Sequence, residues 1–195
     1  LDISAAVARA LSAGKAVKVK IKFFKELDAG SWDRILLTGS VDQNLWVSSE
    51  QRYVRVKAAL IQEILNDEVI FEWCSSDHPA LLRQSVENND YTNTNDIYYA
   101  ADYAHINSLC VNPNDGNLIA SFRNLDAVLK INRQSGEIIW TLGGLGDDFG
   151  LEEEQLFSRQ HYAKLIDEHT LLLFDNGNAQ EQTRILEFQL NEKNQ

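Results

Sequence analysis

Short apolar runs separated by polar turns fill the middle of the chain, between residues 107 and 142. Runs of this length, rich in Ile, Val, Leu and Phe and bounded by Asn, Asp, Gly and Pro, are typical of β-strands. Turns are predicted at 113–116 and 133–136. The predicted strands are 107–112, 117–123, 127–132 and 137–142. Because consecutive strands so close in sequence usually pair, the segment predicts one four-stranded antiparallel sheet.

The same pattern recurs on both sides of this segment. A turn, a Glu, apolar residues and a closing Trp occur at 66–73 and again at 134–140, which predicts that Trp73 and Trp140 are core residues. Further predicted strands are 33–39, 44–48, 54–64 (bent or interrupted), 68–73, 162–166, 170–174 and 184–190. Self-similarity at a period of roughly 40-odd residues is the signature of a β-propeller with four-stranded blades. We therefore expect an all-β, propeller-like chain with two full blades and one three-stranded partial blade, which is an incomplete ring.

The N-terminal region, residues 1–30, does not follow the blade pattern. Residues 2–13 predict a short helix, and residues 15–24 alternate apolar residues with lysines, as a strand with one solvated face does. We expect this helix and strand to precede the blades at 31–195, and the strand could complete the partial blade. The polar stretch 75–102 predicts a long loop, with helix only in part of 78–87 or 150–156.

The bulk composition narrows the classes of function. The chain has 195 residues, of which 44% are hydrophobic and 24% charged, as in ordinary globular proteins that bury a core. Its net charge of −11 argues against nucleic acid and anionic membrane surfaces as partners. No apolar run approaches the length of a membrane span. The chain begins with Leu and shows no signal-peptide pattern, so we expect a mature, trimmed or partial form.

Three histidines lie among polar residues rather than on an apolar stripe. They are His78, His105 and His161. Neutral imidazole can act as a nucleophile, an acid or a base near pH 7. Arginine offers a fork of donors that matches the oxygens of a compact anion. Because so acidic a chain needs local positive charge to bind an anion, Arg123 and Arg159 become candidate binding residues.

Each candidate also has a structural interpretation. His105 and Asn107 could form a buried, hydrogen-bonded pair that holds the start of a strand. Arg123 could pair with Asp102 or Asp126 instead of binding an anion. These interpretations stay open at the level of the sequence.

A metal site built from the three histidines is the main chemical rival, but no His-x-His or His-x-x-x-His spacing supports it. His78 could cap a loop, and His169 fits a turn. Cys74 and Cys110 lack the Cys-x-x-Cys spacing of zinc and redox sites, which leaves either a disulfide or two free thiols.

Residues from about 60 to 190 resemble the arylsulfotransferase family of β-propellers. The matching pieces occur in the family's order and spacing. They are 71–73, 77–78, 102–108, 115–124, 136–144, 148–149, 157–161 and 173–178. The resemblance implies a six-bladed propeller whose central channel binds an aryl sulfate. It further implies that a histidine accepts the sulfuryl group and passes it to a phenol, without a cofactor or a nucleotide sulfate donor.

Carried over by motif, His161 resembles the nucleophile, Arg123 the sulfate clamp, and His105 and Asn107 further sulfate ligands. His78 resembles the histidine of an Asp-His motif on the preceding blade. The resulting set is His161, Arg123 and His105 as catalytic residues, with His78, Asn107 and Arg159 as substrate-binding residues. The resemblance suggests a periplasmic or extracellular location.

The length of the chain favours a second hypothesis. Six blades of roughly 40–45 residues do not fit into this chain, so a ring would need a larger chain or an oligomer. The alternative to the enzyme is a propeller-derived module that binds a partner or has a structural role, with a vestigial site.

Overall fold

The computed structural model describes residues 34–48, 51–66, 68–87 and 100–191. All of them belong to one compact unit that runs from residue 34 to residue 195. The predicted helix 2–13 and strand 15–24 lie outside the described residues. The described part is mostly β, as expected, and its ten strands form three antiparallel sheets.

Each sheet consists of strands that follow one another along the chain. Sheet 1 contains β1 (Arg34–Val47), β2 (Arg52–Leu65) and β3 (Glu68–Cys74) in that order. Sheet 2 contains β4 (Ile106–Val111), β5 (Leu118–Phe122), β6 (Ala127–Ile131) and β7 (Ile138–Gly143). Sheet 3 has the order β10 (Arg184–Gln189), β9 (Thr170–Asp175) and β8 (His161–Leu165). A short helix, α1 (Pro79–Gln84), follows sheet 1, within the predicted 78–87.

Sheet 2 confirms the four strands predicted between residues 107 and 142, and its two hairpin turns explain why they form there. In both turns an asparagine carbonyl accepts the N–H of the glycine four residues later, Asn112 with Gly116 and Asn132 with Gly136. These glycines have φ of +76° and +77°, a left-handed conformation that side chains disfavour. The identical chemistry of the turns fixes the β4–β5 and β6–β7 registers in the same way.

Sheet 1 corrects the prediction in two respects. The strands predicted at 33–39 and 44–48 are one continuous strand, because residues between them stay paired with β2, from Ser40 opposite Ala59 to Gln43 opposite Val56. The strand predicted at 54–64 as bent or interrupted is the continuous strand β2, which has one irregularity against β3 between Glu63 and Ile64. Sheet 1 therefore has three strands, and the prediction of two full blades was wrong for the described residues.

Two further expectations concern the helix predicted within 150–156 and the closure of the ring. Of the helix predicted within 150–156, the structure contains only one 3-10 turn, Glu153–Gln155. Within the described residues the three sheets do not close into a ring.

The hydrophobic core lies on both faces of sheet 2. Successive residues of a strand point to opposite faces, so Leu118, Ala120 and Phe122 join one cluster while Ile119 joins another. The first cluster includes Val56, Ile61 and Trp73 of sheet 1, and the second includes Ala163, Leu171 and Leu173 of sheet 3. Trp73 and Trp140 are buried, as predicted. Sheet 2 is thus packed between its neighbours, which is why β5 and β6 are buried along their whole length.

A buried carboxylate links sheets 1 and 2. Glu63 is 2% exposed and accepts hydrogen bonds from Arg133 Nε at 2.7 Å and Nη2 at 2.6 Å, while Arg34 also pairs with it. The hydrogen bond from Arg133 lowers the pKa of Glu63 and outweighs its burial, which acts in the opposite direction. Because Arg133 lies in the β6–β7 turn, this pair fixes one sheet against the next.

Replacing Glu63 by Ala should therefore lower the free energy of unfolding by about 1–3 kcal/mol, since Arg133 and Arg34 lose a buried acceptor. Urea denaturation measures the change, with exposed Glu68→Ala as the control that should stay within about 0.5 kcal/mol of the unmodified protein. Because the pKa of Glu63 is lowered in the folded state, its contribution is complete above the ordinary glutamate pKa of about 4.3. It is lost as the pH falls through the folded-state pKa. Equal losses in the two variants would contradict the role of the pair.

Candidate functional site

The turn between β5 and β6, which we call the central turn (residues 123–126), holds the segment that precedes β4. The Arg123 N–H donates to the His105 carbonyl at 2.9 Å, and the Asn124 N–H donates to the Ala104 carbonyl at 3.1 Å. The Asn124 side chain also donates to the Asp102 carbonyl at 2.6 Å. His105 and the end of β5 are therefore positioned by direct backbone contact.

The central turn also holds the segment that precedes β8. Asp126, at φ +48°, accepts the backbone N–H of Arg159 at 2.6 Å. The fully buried Gln160 donates to the Phe122 and Ala127 carbonyls at 3.2 and 2.9 Å and to Ser121 Oγ at 3.0 Å. These bonds fix the residues immediately before His161 against sheet 2.

His105 and Asn107 have separate partners, so they do not form the hydrogen-bonded pair that the sequence left open. His105 Nδ1 lies 2.6 Å from Asp102 Oδ2, and its side chain is 43% exposed. Asn107 Nδ2 donates to the Gln160 carbonyl at 2.7 Å, while its Oδ1 is buried without a partner. The amide donor of Asn107 is therefore engaged in holding the backbone before His161.

His161 begins β8 and is oriented through its Nδ1 atom. This atom lies 3.1 Å from the Arg159 carbonyl and 3.2 Å from Nδ2 of Asn176, which itself donates to that carbonyl at 2.7 Å. When Nδ1 carries the proton and donates it to Arg159, the lone pair is on Nε2, the state that a nucleophile requires. Asn176 and Gln160 were not among the predicted site residues, although both lie in pieces of sequence that carried the family resemblance.

The side chains of Arg123 and Arg159 meet at one carboxylate oxygen. Arg123 Nη1 donates to Glu87 Oε1 at 3.0 Å and also to Asn124 Oδ1 at 2.7 Å. Arg159 Nη1 lies 2.8 Å from the same Glu87 oxygen, as an ion pair without the alignment of a hydrogen bond. The ion pair of Arg123 is thus made with Glu87, rather than with Asp102 or Asp126 as the sequence allowed. Two guanidinium groups from different sheet connections therefore converge on the Glu87 carboxylate.

His78 lies beside the hydrophobic core and at the N-cap position of α1. Its ring stacks on Trp73, with centroids 5.1 Å apart, and Trp73 packs against Phe122, the residue before the central turn. Burial lowers the pKa of His78, and the carboxylate of Asp77 partly opposes this shift. The surroundings of His78 therefore favour its neutral form, and the ring that it contacts is that of Trp73.

Three clefts of the described residues can be compared with these contacts, and neither Arg123 nor Arg159 lines any of them. One of about 240 Å³ is lined by His105 and Asp102 together with Thr38, Gly39 and Ser40 of β1. Two larger clefts, of about 530 and 970 Å³, lie at the other end of sheet 2, where Asp115 lines both. None of the described residues that line these two larger clefts is a predicted site residue. We place the candidate site at the central turn because the side chains of Arg123 and Arg159 meet there.

The described residues contain no group of three His, Cys, Asp or Glu side chains arranged to hold a metal ion. None of the helices in this described part is long and apolar enough to cross a membrane. Cys74 and Cys110 are free thiols, and burial raises the pKa of Cys110.

Comparison with known proteins gives one match. The family model described as arylsulfotransferase (ASST) matches residues 33–195. No curated protein and no solved structure matches the chain.

The environment of His78 can be tested by NMR. We expect His78 to titrate below the ordinary histidine pKa of about 6.5, because burial disfavours the imidazolium. Replacing Asp77 by Asn should lower the pKa further, since a neighbouring negative charge is lost. Asp167→Asn, a carboxylate in the β8–β9 turn, serves as the control and should leave it unchanged. A rise in the Asp77→Asn variant would contradict this account.

Proposed function

The chain belongs to the arylsulfotransferase family, and we propose that it transfers a sulfuryl group from an aryl sulfate to a phenol through a covalent intermediate on His161. One observation carries the proposal. Arg159 contacts both the candidate nucleophile and the second arginine's partner. Its backbone carbonyl lies 3.1 Å from His161 Nδ1, and its guanidinium group shares one Glu87 oxygen with Arg123. An oxyanion held by the two arginines is thereby linked to the candidate nucleophile.

In the first step, Nε2 of neutral His161 attacks the sulfur of the aryl sulfate. An N–S bond forms, the bond from sulfur to the aryl oxygen breaks, and a phenolate leaves. In the second step, the oxygen of an acceptor phenol attacks the same sulfur and the N–S bond breaks. The acceptor phenol loses its proton in this step, and the phenolate released in the first step takes one up. The overall exchange therefore needs no other reactant. Splitting the transfer into two displacements is the usual gain of covalent catalysis.

Arg123 and Arg159 are assigned to the sulfuryl oxygens. Sulfuryl transfer, like phosphoryl transfer, depends on positioning and charge stabilisation more than on elaborate covalent chemistry. Fixed cationic donors can stabilise the charge that develops on these oxygens, because they need no reorganisation during the reaction. We assign His105, held by Asp102, as a further sulfate ligand.

Asn107 and His78 take other roles in this proposal. The amide donor of Asn107 is engaged by the Gln160 carbonyl, so we assign Asn107 to positioning the backbone before His161 rather than to the sulfate. His78, stacked on Trp73, is assigned to the wall of the substrate site, where a neutral ring suits an aryl group.

We further propose that the three sheets are consecutive blades of a propeller. The packing of sheet 2 between its two neighbours supports this arrangement, as do the equivalent positions of Trp73 and Trp140 at the ends of sheets 1 and 2. A family ring of six blades would then be completed by further chain or by other copies.

The second candidate function is a binding or structural module with a vestigial site. The observation that favours it is Glu87, whose carboxylate already pairs with both arginines. The mass of the intact protein after incubation with an aryl sulfate separates the two functions. Gain of one sulfuryl group supports the enzyme, and an unchanged mass supports the module.

Substitutions test the roles of individual residues. His161→Ala should abolish transfer from 4-nitrophenyl sulfate to phenol, because the nucleophile is lost. Arg123→Ala should lower kcat roughly 10²- to 10³-fold, as does the loss of one oxyanion donor elsewhere. The matched control is His169→Ala, which removes an exposed histidine from the β8–β9 turn and should leave turnover unchanged. Near-normal turnover by His161→Ala would refute the assignment of the nucleophile.

A further inference from the structure

Glu87 presents one oxygen to both arginines of the proposed sulfate site. The distances are 3.0 Å to Arg123 Nη1 and 2.8 Å to Arg159 Nη1. A carboxylate and a sulfate offer the same kind of acceptor to a guanidinium group, and the two cannot occupy one position. The carboxylate of Glu87 therefore stands where a sulfuryl oxygen would be bound.

The backbone around Glu87 is fixed, so the position of its side chain is a property of the fold. The Val86 N–H donates to the Asn124 carbonyl at 2.9 Å, and Ser85 Oγ donates to the same carbonyl at 3.3 Å. Arg159 Nη2 also donates to the Val86 carbonyl at 3.5 Å. These contacts attach the segment to the central turn and direct Glu87 towards the arginines.

The arginines do not depend on Glu87 alone for their orientation. Arg123 keeps its bond to Asn124 Oδ1, and the Asn124 side chain is itself anchored on the Asp102 carbonyl. Arg159 keeps its contact with the Val86 carbonyl. The Glu87 side chain is 34% exposed and can turn towards solvent. Departure of the Glu87 carboxylate would thus leave two oriented cations at the site.

We propose that Glu87 is a built-in competitor that closes the arginine pair until an anionic substrate displaces it. This inference rests on the proposed function in so far as it takes the arginine pair as the sulfate site. Its consequence is selectivity, because a ligand must offer more to the two guanidinium groups than one carboxylate oxygen does. A sulfate ester presents three oxygens, and a weakly charged ligand would leave Glu87 in place.

The competing explanation is that Glu87 braces the arginines, and the two explanations predict opposite signs. Under competition, Glu87→Gln removes the negative charge without changing the size of the side chain, and sulfate should bind more tightly. Under bracing, the same substitution disorders the arginines, and sulfate should bind more weakly. Affinity for the anion separates the two without reference to catalysis.

Isothermal titration of the full chain with sodium sulfate measures this affinity. We expect Glu87→Gln to bind sulfate roughly three- to tenfold more tightly than the unmodified protein, because two partly exposed ion pairs no longer compete. Glu187→Gln, which removes an exposed carboxylate from β10, is the control for net charge and should change the affinity little. Circular dichroism melting shows whether each variant is folded.

An unchanged or weaker affinity of folded Glu87→Gln, or no binding of sulfate by any of the three proteins, would overturn the proposal. The result is independent of turnover. Tighter binding by Glu87→Gln in a protein that never forms a sulfuryl-histidine would keep this inference and remove the proposed function. Formation of the sulfuryl-histidine with no gain in the affinity of Glu87→Gln for sulfate would keep the proposed function and remove this inference.

Discussion

The arrangement of the site depends on the central turn, the four residues that connect the buried strands β5 and β6. Their backbone groups and short side chains bind the segment before β4, the segment before β8 and the segment after α1. Asn124 and Leu125 of this turn are buried, and buried polar groups must be satisfied within the protein, so the bonds of Asn124 also stabilise the fold. The same hydrogen bonds that stabilise the packing of sheet 2 therefore position His105, Arg159 and Glu87.

Unusual backbone conformations occur in and beside the central turn. His105, Asp126 and Arg159 all have positive φ, between +48° and +57°, although none is a glycine. Such conformations are costly for residues with side chains and persist where surrounding contacts impose them. All three residues are tied to one another through the central turn, by the Arg123 N–H to the His105 carbonyl and by Asp126 to the Arg159 N–H. Three of the described non-glycine residues with positive φ are therefore held by contacts with the central turn.

The sequence predicted best what local pattern determines. The strands of sheet 2 and sheet 3 follow from short apolar runs and from turns whose asparagines and glycines act within four residues. β1 was wrongly divided because its polar middle is held in a strand by β2, and that pairing is set by long-range register. Arg159 contacts His161 through its backbone carbonyl and shares a Glu87 oxygen with Arg123, and the sequence predicted neither contact. Glu87 and Arg123 are 36 residues apart in the chain, so no local pattern in the sequence predicts their contact.

The central claim is that the guanidinium groups of Arg123 and Arg159 form an oxyanion site facing the nucleophile at position 161. A crystal structure of the His161→Ala variant with bound 4-nitrophenyl sulfate tests it most directly, because this variant cannot turn the ester over. The account predicts sulfate oxygens within hydrogen-bonding distance of both guanidinium groups, with the sulfur facing the space left by the imidazole. A sulfate ester bound elsewhere, with Arg123 and Arg159 still paired to Glu87, would contradict it.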